Sequence, residues 1–166
     1  MNIRFATEQD IDRMYRISLA AHTHGYDVLI PKKRWKDFLE RFSDTEENRQ
    51  KFYKRALSRI ENPRWRVWVA EVSGKIVGYT YAERINENYV YKRGIFVEPQ
   101  SQGMGVGRAL FDISLTIIKS GKVRLTVIKN NEKARTMYKA HGFVDTAIPE
   151  RSFFDAEQVV MEFHKA

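Results

Sequence analysis

Between Trp65 and Val97 the chain reads as three strands in immediate succession, and this run limits the available folds more than any other stretch. Trp65–Glu71 and Lys75–Glu83 are rich in β-branched and aromatic residues, with Ser73-Gly74 placed as a tight hairpin turn. Asn86-Glu87-Asn88 makes the next turn and Tyr89–Val97 the next strand. Strands joined this closely form an antiparallel meander. If the second turn centres on Glu87, Glu83 pairs across from Tyr91. Gly94, inside the third strand, signals a bulge or a close backbone contact.

Helical spacing dominates before this run. Ile3–Ala6 suits a short first strand, and Thr7 puts a hydroxyl cap before an acidic turn. Ile11, Met14, Tyr15, Ser18 and Leu19 then share one helix face. HTHGYDVLIP breaks that pattern. Trp35, Phe38, Leu39 and Phe42 form a second apolar face, with Trp35 and Phe38 read as core. After Ser43-Asp44-Thr45-Glu46, the residues Phe52, Ala56, Leu57 and Ile60 mark a third helix that ends before Asn62-Pro63. Beyond Val97 come a helix to about Ser120, a strand over Val123–Ile128 and a helix over Asn131–Ala140. Gly142 is the C′ glycine of that last helix, and strands over Phe143–Ile148 and Gln158–Phe163 close the chain. The order β-α-α-α-β-β-β-α-β-α-β-β predicts one mixed α/β (α+β) domain over residues 1–166, with about seven strands in a sheet flanked by helices.

The meander runs straight into QSQGMGVGRAL, residues 100–110, where a strand gives way to a helix through Gly103, Gly105 and Gly107. Such turns offer unpaired amides and the positive end of a helix dipole to an anion. The dinucleotide pattern G-x-G-x-x-G fails here, because Arg108 or Leu110 falls at its last glycine, and no G-x-x-x-x-G-K-[ST] run exists. Gln102-x-x-Gly105-x-Gly107, preceded by Val97-Glu98-Pro99, resembles the hallmark of the GNAT acetyltransferase superfamily. NNEKARTMYKAHGF, residues 130–143, is similar to that family's second signature, with Asn131, Ala134 and Tyr138 before Gly142-Phe143. The opening IRFATEQDID and the ending FFDAEQVVMEF also resemble the family's first strand and helix and its final hairpin. Residues 21–64 match no such pattern.

The resemblance implies acetyl-coenzyme A as the acyl donor, lying between two splayed parallel strands, Tyr89–Val97 and Val123–Ile128. It implies that the backbone of Gln102, Gly103, Met104, Gly105, Val106 and Gly107 holds the pyrophosphate, with Arg108 and Lys133 as added cations. Ile95, Phe96 and Val97 would pair with the pantetheine arm, and an amide near Phe96 or Val97 would serve as the oxyanion donor. Asn131 would orient the arm or a water, and Tyr138 would be the general acid. Tyr91 stands where some members carry a glutamate base, so Glu83 is the first candidate for that role and Glu98 the second. The acceptor site is expected from residues 21–42 and 150–156: His22 and Tyr26, with His24 and Asp27 as further polar candidates, Tyr91, and a wall of Phe153 and Phe154. His22-x-His24 lacks a third ligand, so no metal is expected.

Composition narrows the partners. The 166 residues contain no cysteine, which excludes thiolate chemistry and disulfides. No apolar run reaches membrane-span length and the N-terminus has no signal-peptide core, so a cytoplasmic protein without a membrane partner is expected. The net charge of +8 suits a polyanion, and residues 90–141 hold ten Lys/Arg against three Asp/Glu. Residues 32–66 are also basic, but their charges interleave with aromatics at core spacing, which argues against a nucleic-acid partner. The expected acceptor is a small-molecule or peptide amine, and a homodimer is compatible with the chain. Two alternatives stay open: a catalytically silent coenzyme A-binding domain of this fold, and a basic nucleic-acid-binding module.

Overall fold

The first strand, β1 (Asn2–Phe5), ends where Thr7 and Asp10 lock the chain into a turn. The Thr7 amide and hydroxyl donate to Asp10 Oδ2 at 2.7 and 3.0 Å. Arg4 forks onto the same carboxylate at 2.7 and 2.9 Å, tying β1 to the start of the helix α1 (Ile11–Thr23). Two more helices follow, α2 (Lys32–Arg41) and α3 (Glu46–Glu61). Thr45 Oγ1 caps α3 by accepting from the Asn48 amide at 3.2 Å.

The meander forms as its pattern predicts: β2 (Trp65–Val72), β3 (Lys75–Asn86) and β4 (Tyr89–Val97) are antiparallel neighbours. Ser73 and Gly74 turn between β2 and β3 with φ of 50° and 75°, the paired left-handed conformation of a tight hairpin. Glu83 faces Tyr91, as the turn position requires. Between Thr80 and Ala82 of β3, the partner strand runs from Ile95 to Lys92, so Arg93 and Gly94 together oppose Tyr81. This is the bulge that Gly94 signals. An added Cβ on Gly94 would lie 2.4 Å from Cε2 of Phe96, so only glycine lets that ring close over the bulge.

The second half comprises α4 (Val106–Ser114), β5 (Gly121–Ile128), α5 (Glu132–Ala140), β6 (Val144–Asp145) and β7 (Gln158–Lys165). The computed structural model describes residues 1–166 and joins all seven strands in one sheet, in the order β1-β2-β3-β4-β5-β7-β6. The observed element order is the expected one. Strand ends shift by up to three residues, as β3 runs on to Asn86 and β5 starts at Gly121, and two elements differ more. The helix after the glycines stops at Ser114, not Ser120, because a 3-10 turn over Leu115–Ile117 delivers Ile117 and Ile118 into the core at 7 % and 2 % exposure. The strand expected over Phe143–Ile148 shrinks to two residues. Gly142, at φ 84°, reverses the helix end and turns Phe143 inward, and Thr146 then accepts from Ile148 N at 3.2 Å and ends the ladder.

Helices α4 and α5 cover one face of the sheet, around Leu110, Phe111, Leu125 and Met161. Helices α1 and α3 cover the other, around Met14, Ile17, Val69 and Tyr79. A third cluster fastens α2 to the loop before β7 through Phe38, Ile30, Ile128 and Ala156. Phe38 is fully buried, and Trp35, partly buried, stacks on it at 5.1 Å and packs against the core as expected. No helix is long and apolar enough to cross a membrane.

The pairing of β4 with β5 positions everything that follows. The two strands are parallel but share register only over Tyr89–Tyr91 and Lys122–Arg124. Beyond that point β4 turns at its bulge and keeps only β3, while β5 continues with β7 as far as Ile128. One edge of β4 is left without a strand partner from Lys92 to Val97.

Candidate functional site

The bulge has an internal support. Lys92 is 2 % exposed, and its ammonium donates to Thr80 Oγ1 at 2.5 Å, to the Arg93 carbonyl at 2.6 Å and to the Gly94 carbonyl at 3.1 Å. Burial pushes its pKa well below the ordinary lysine range, while three oxygen acceptors occupy all of its donors. Thr80 Oγ1 also donates to the Gly94 carbonyl at 2.9 Å. The extra residue of the bulge therefore keeps its carbonyl satisfied away from the ladder. Sequence reasoning missed Lys92. The available signal was its place two residues from buried Val90, on the same strand face and next to the bulge glycine.

Where β4 and β5 part, a cleft of about 520 Å³ opens. Ile95, Phe96 and Val97 form its β4 wall, and Gln102, Gly103, Gly105, Gly107 and Arg108 curve over one end. Asn131, Lys133 and Tyr138 face them from α5. Tyr26 enters from the loop after α1. All of these were expected from sequence. Ala21, His24, Gly25, Leu29, Ala134 and Met137 also line the cleft; of these, His24 carried a sequence signal as a polar candidate and Ala134 as part of the second signature.

The glycine run presents bare amides. Gly103 and Gly105 sit at φ of 82° and 79°, and Gly105 is the N-cap of α4. The first backbone bond of the helix runs from Ala109 N to Gly105 O at 3.0 Å, so the amides from Gly103 through Arg108 donate to no carbonyl of the chain. Those amides and the helix dipole meet at one end of the cleft. A Cβ on Gly107 would only touch Val97 Cγ2 at 3.7 Å, an ordinary contact, so neither packing nor backbone requires glycine there. Two expected positions contribute backbone alone: the Met104 side chain is 60 % exposed and Val106 is 1 % exposed in the core, and neither side chain reaches the cleft. Lys133 Nζ donates to Gln102 Oε1 at 3.1 Å, and the Arg108 side chain is 76 % exposed at the rim.

Tyr138 lies between Phe111 and the cleft, its ring 5.1 Å from that of Phe111. Burial first, and the nearby Tyr26 phenol second, push its pKa well above the ordinary phenol range. Asn131 caps α5, its Oδ1 accepting from Ala134 N at 3.2 Å, which leaves its Nδ2 to donate into the cleft.

Six of the expected side chains lie elsewhere, His22 and five others. Glu98 is clamped by Arg13 at 2.8 and 2.9 Å, joining α1 to the end of β4. Glu83 is held by Arg93 at 3.0 Å, with Arg64 at 3.8 Å. Neither carboxylate lines the cleft, and both are occupied by guanidinium groups. Tyr91 points across the strand gap to Thr126 Oγ1, under Arg93. Phe153 and Phe154 pack on Phe38 with ring centroids 6.1 and 5.3 Å away. They anchor α2 instead of walling the cleft, because a tight Phe153–Ala156 turn folds them inward.

His22 borders a second, smaller cavity of about 150 Å³ on the other side of Phe96, enclosed by α1, α3 and β2–β4. Its ring is 8 % exposed and stacks on Phe42 at 3.8 Å. Nδ1 lies 2.6 Å from the Ser18 carbonyl, an acceptor only, so Nδ1 carries the proton and Nε2 is left as an acceptor. Burial holds the ring neutral, with its pKa lowered to about 4.

A family model described as an acetyltransferase (GNAT) domain matches residues 63–145, half of the chain. The chain is 31 % identical over 101 residues to a spermidine N(1)-acetyltransferase from Vibrio cholerae, a match covering 57 % of each protein. It is 30 % identical over 87 residues to an N-alpha-acetyltransferase, RimI, from Mycobacterium tuberculosis, covering 51 % of this chain and 55 % of that one. The chain thus spans a little over half the length of the curated relatives it matches. Among solved structures, the PaiA N-acetyltransferase of Thermoplasma acidophilum, in complex with coenzyme A, superposes with a TM-score of 0.77 over 98 % of both chains at 15 % identity. At that identity the likeness is one of fold.

Proposed function

Since the chain belongs to the GNAT acetyltransferase family, we propose that it transfers an acetyl group from acetyl-coenzyme A to a primary amine. The observation that carries this reading is the run of partnerless amides from Gly103 through Arg108, set against the unpaired edge of β4. Coenzyme A offers the two matching parts: a pyrophosphate for the amides and an amide-bearing arm that adds to the strand edge. The residues fit the group. Gly107 has no packing reason to be glycine, and a side chain there would occupy the space of the anion. Lys133 and Arg108 supply cations at the same end. The named relatives act on spermidine and on an α-amino group, both primary amines.

In the reaction, the amine nitrogen attacks the thioester carbonyl carbon, and a β4 amide at Phe96 or Val97 stabilises the oxyanion. The carbon–sulfur bond then breaks, the thiolate takes the proton of Tyr138, and the proton lost from the amine nitrogen passes to water, from which the phenol is restored. Burial that raises the Tyr138 pKa keeps the phenol fully protonated until that moment. The same dry environment raises the thiol pKa, which offsets part of the cost of taking a proton from the phenol. Glu83 and Glu98 are engaged by arginines and do not line the cleft, which argues against either as the base.

Titration with acetyl-coenzyme A tests the reading. A micromolar Kd is expected, and at about a hundredfold excess over Kd the fold gains about 2.7 kcal/mol, read as a rise in Tm. An unchanged Tm at roughly 1 mM acetyl-coenzyme A would overturn the reading. Binding without thiol release across a panel of primary amines would leave a silent coenzyme A-binding domain.

A further inference from the structure

The small cavity beyond Phe96 has a polar, neutral inner end and a cationic outer end. Ser18 and His22 lie inside, and Arg55 and Arg59, four residues apart on α3, lie outside. Several arginines elsewhere meet carboxylates, as Arg13 does Glu98, Arg124 does Glu162 and Arg135 does Asp145, while others such as Arg41, Arg66 and Arg84 do not. Arg55 and Arg59 form no ion pair. Burial, then Arg41, then Arg59 lower the Arg55 pKa from its ordinary value, so positive charge is concentrated here without a counter-ion. Arg59 is held in place by ring faces instead, 4.4 Å from the Tyr81 centroid and 4.9 Å from that of Trp65. Stacking fixes the guanidinium plane and leaves its N–H donors free.

We infer that this cavity is the acceptor subsite, that Arg55 and Arg59 bind a carboxylate carried by the acceptor, and that the acceptor is therefore an amino-acid-type amine. The inference rests on the acetyltransferase reading above and narrows its substrate class. A cavity of about 150 Å³ takes a small molecule. A polyamine would bring further cations against Arg41, Arg55 and Arg59, whereas a carboxylate matches the planar fork of an arginine. At the inner end, the unprotonated Nε2 of His22 accepts an N–H from the amine. The shared wall, Phe96, belongs to both cavities, so an amine held here sits beside the strand that carries the acetyl group.

The test uses product binding, which needs no turnover. The protein is saturated with coenzyme A, and N-acetyl-amino acids are compared with N1-acetylspermidine by thermal shift and calorimetry. At least one N-acetyl-amino acid is expected to bind, with Kd weakened tenfold or more in Arg55→Gln and in Arg59→Gln, and less in the lysine variants. Coenzyme A affinity should stay within twofold in all four, which also shows that they fold. Binding of acetylspermidine alone, no binding by any carboxylate, or an unchanged Kd in the glutamine variants would each overturn the inference. Failure of coenzyme A itself to bind would instead count against the acetyltransferase reading.

Discussion

Tyr138 and Lys92 are both buried, titratable and close to the same strand edge, yet their chemistry differs. Lys92 spends every donor on the protein. The Tyr138 hydroxyl is held by no hydrogen bond, and its pKa is set by burial and by Tyr26. A group with its donor free can act on a ligand, while one fully engaged can only shape the backbone. Tyr138→Phe removes the donor and keeps the ring that packs on Phe111. We expect kcat to fall by roughly 10²- to 10⁴-fold, with the acetyl-coenzyme A Kd little changed, measured by steady-state thiol release beside calorimetry. Unchanged kcat would remove Tyr138 as the acid. Tyr138 was readable from its place in the second signature. Arg55 and Arg59 were not singled out, although Phe52, Arg55, Ala56 and Arg59 follow one helix stripe toward the sheet. The stripe mixes charge with apolar residues, and a charged residue on an amphipathic helix reads as solvated until the cavity beside it is known.

Among the elements, the glycine turn and the β4 bulge do the positioning. Gly103 and Gly105 answer to the backbone, through positive φ, whereas neither φ nor packing asks for glycine at Gly107, which the proposed function ties to the cofactor. The three are therefore separable by experiment. Gly107→Ala places a better helix former at the second position of α4, where its Cβ has room. The free protein should gain up to about 1 kcal/mol in stability while losing acetyl-coenzyme A affinity about tenfold. Gly105→Ala, forced into the left-handed region, should instead cost about 1 kcal/mol or more. Denaturant unfolding with and without acetyl-coenzyme A separates the two effects, and equal affinity in Gly107→Ala would sink the steric role. Gly94 signalled a bulge or a close contact, and the register shift makes it a bulge. Its consequence was less legible: one extra residue turns β4 away from β5, leaving the strand edge that the proposed reaction uses.

At the scale of the whole molecule, a neutral histidine packed between α1, α2 and β4 links stability to acid. His22 has a pKa of about 4 in the fold and about 6.5 unfolded, so between these values the unfolded chain binds the extra proton. Stability is full above about pH 6.5 and falls as pH drops toward 4, by about 3 kcal/mol in total. Asp10, lowered by its hydrogen bonds from Arg4, adds a loss only below the ordinary carboxylate range, as pH falls through its folded pKa. Urea melts from pH 7 to 4 should show the first slope in the native protein and a flatter one in His22→Gln; equal slopes would refute the assignment. The sequence alone was enough for the order of elements, the meander, the glycine turn, Tyr138 and the family resemblance. These depend on local spacing, turn chemistry and capping, which neighbouring residues dictate. Only the tertiary structure decided that Glu83 and Glu98 are locked to arginines, that Phe153 and Phe154 fasten α2, and that a second cavity lies behind Phe96. The partners in each of those pairings lie on different elements, and nothing local specifies which distant side chain will arrive opposite. Whether a carboxylate stays free or a phenylalanine stays exposed is settled by that arrival, through burial and charge.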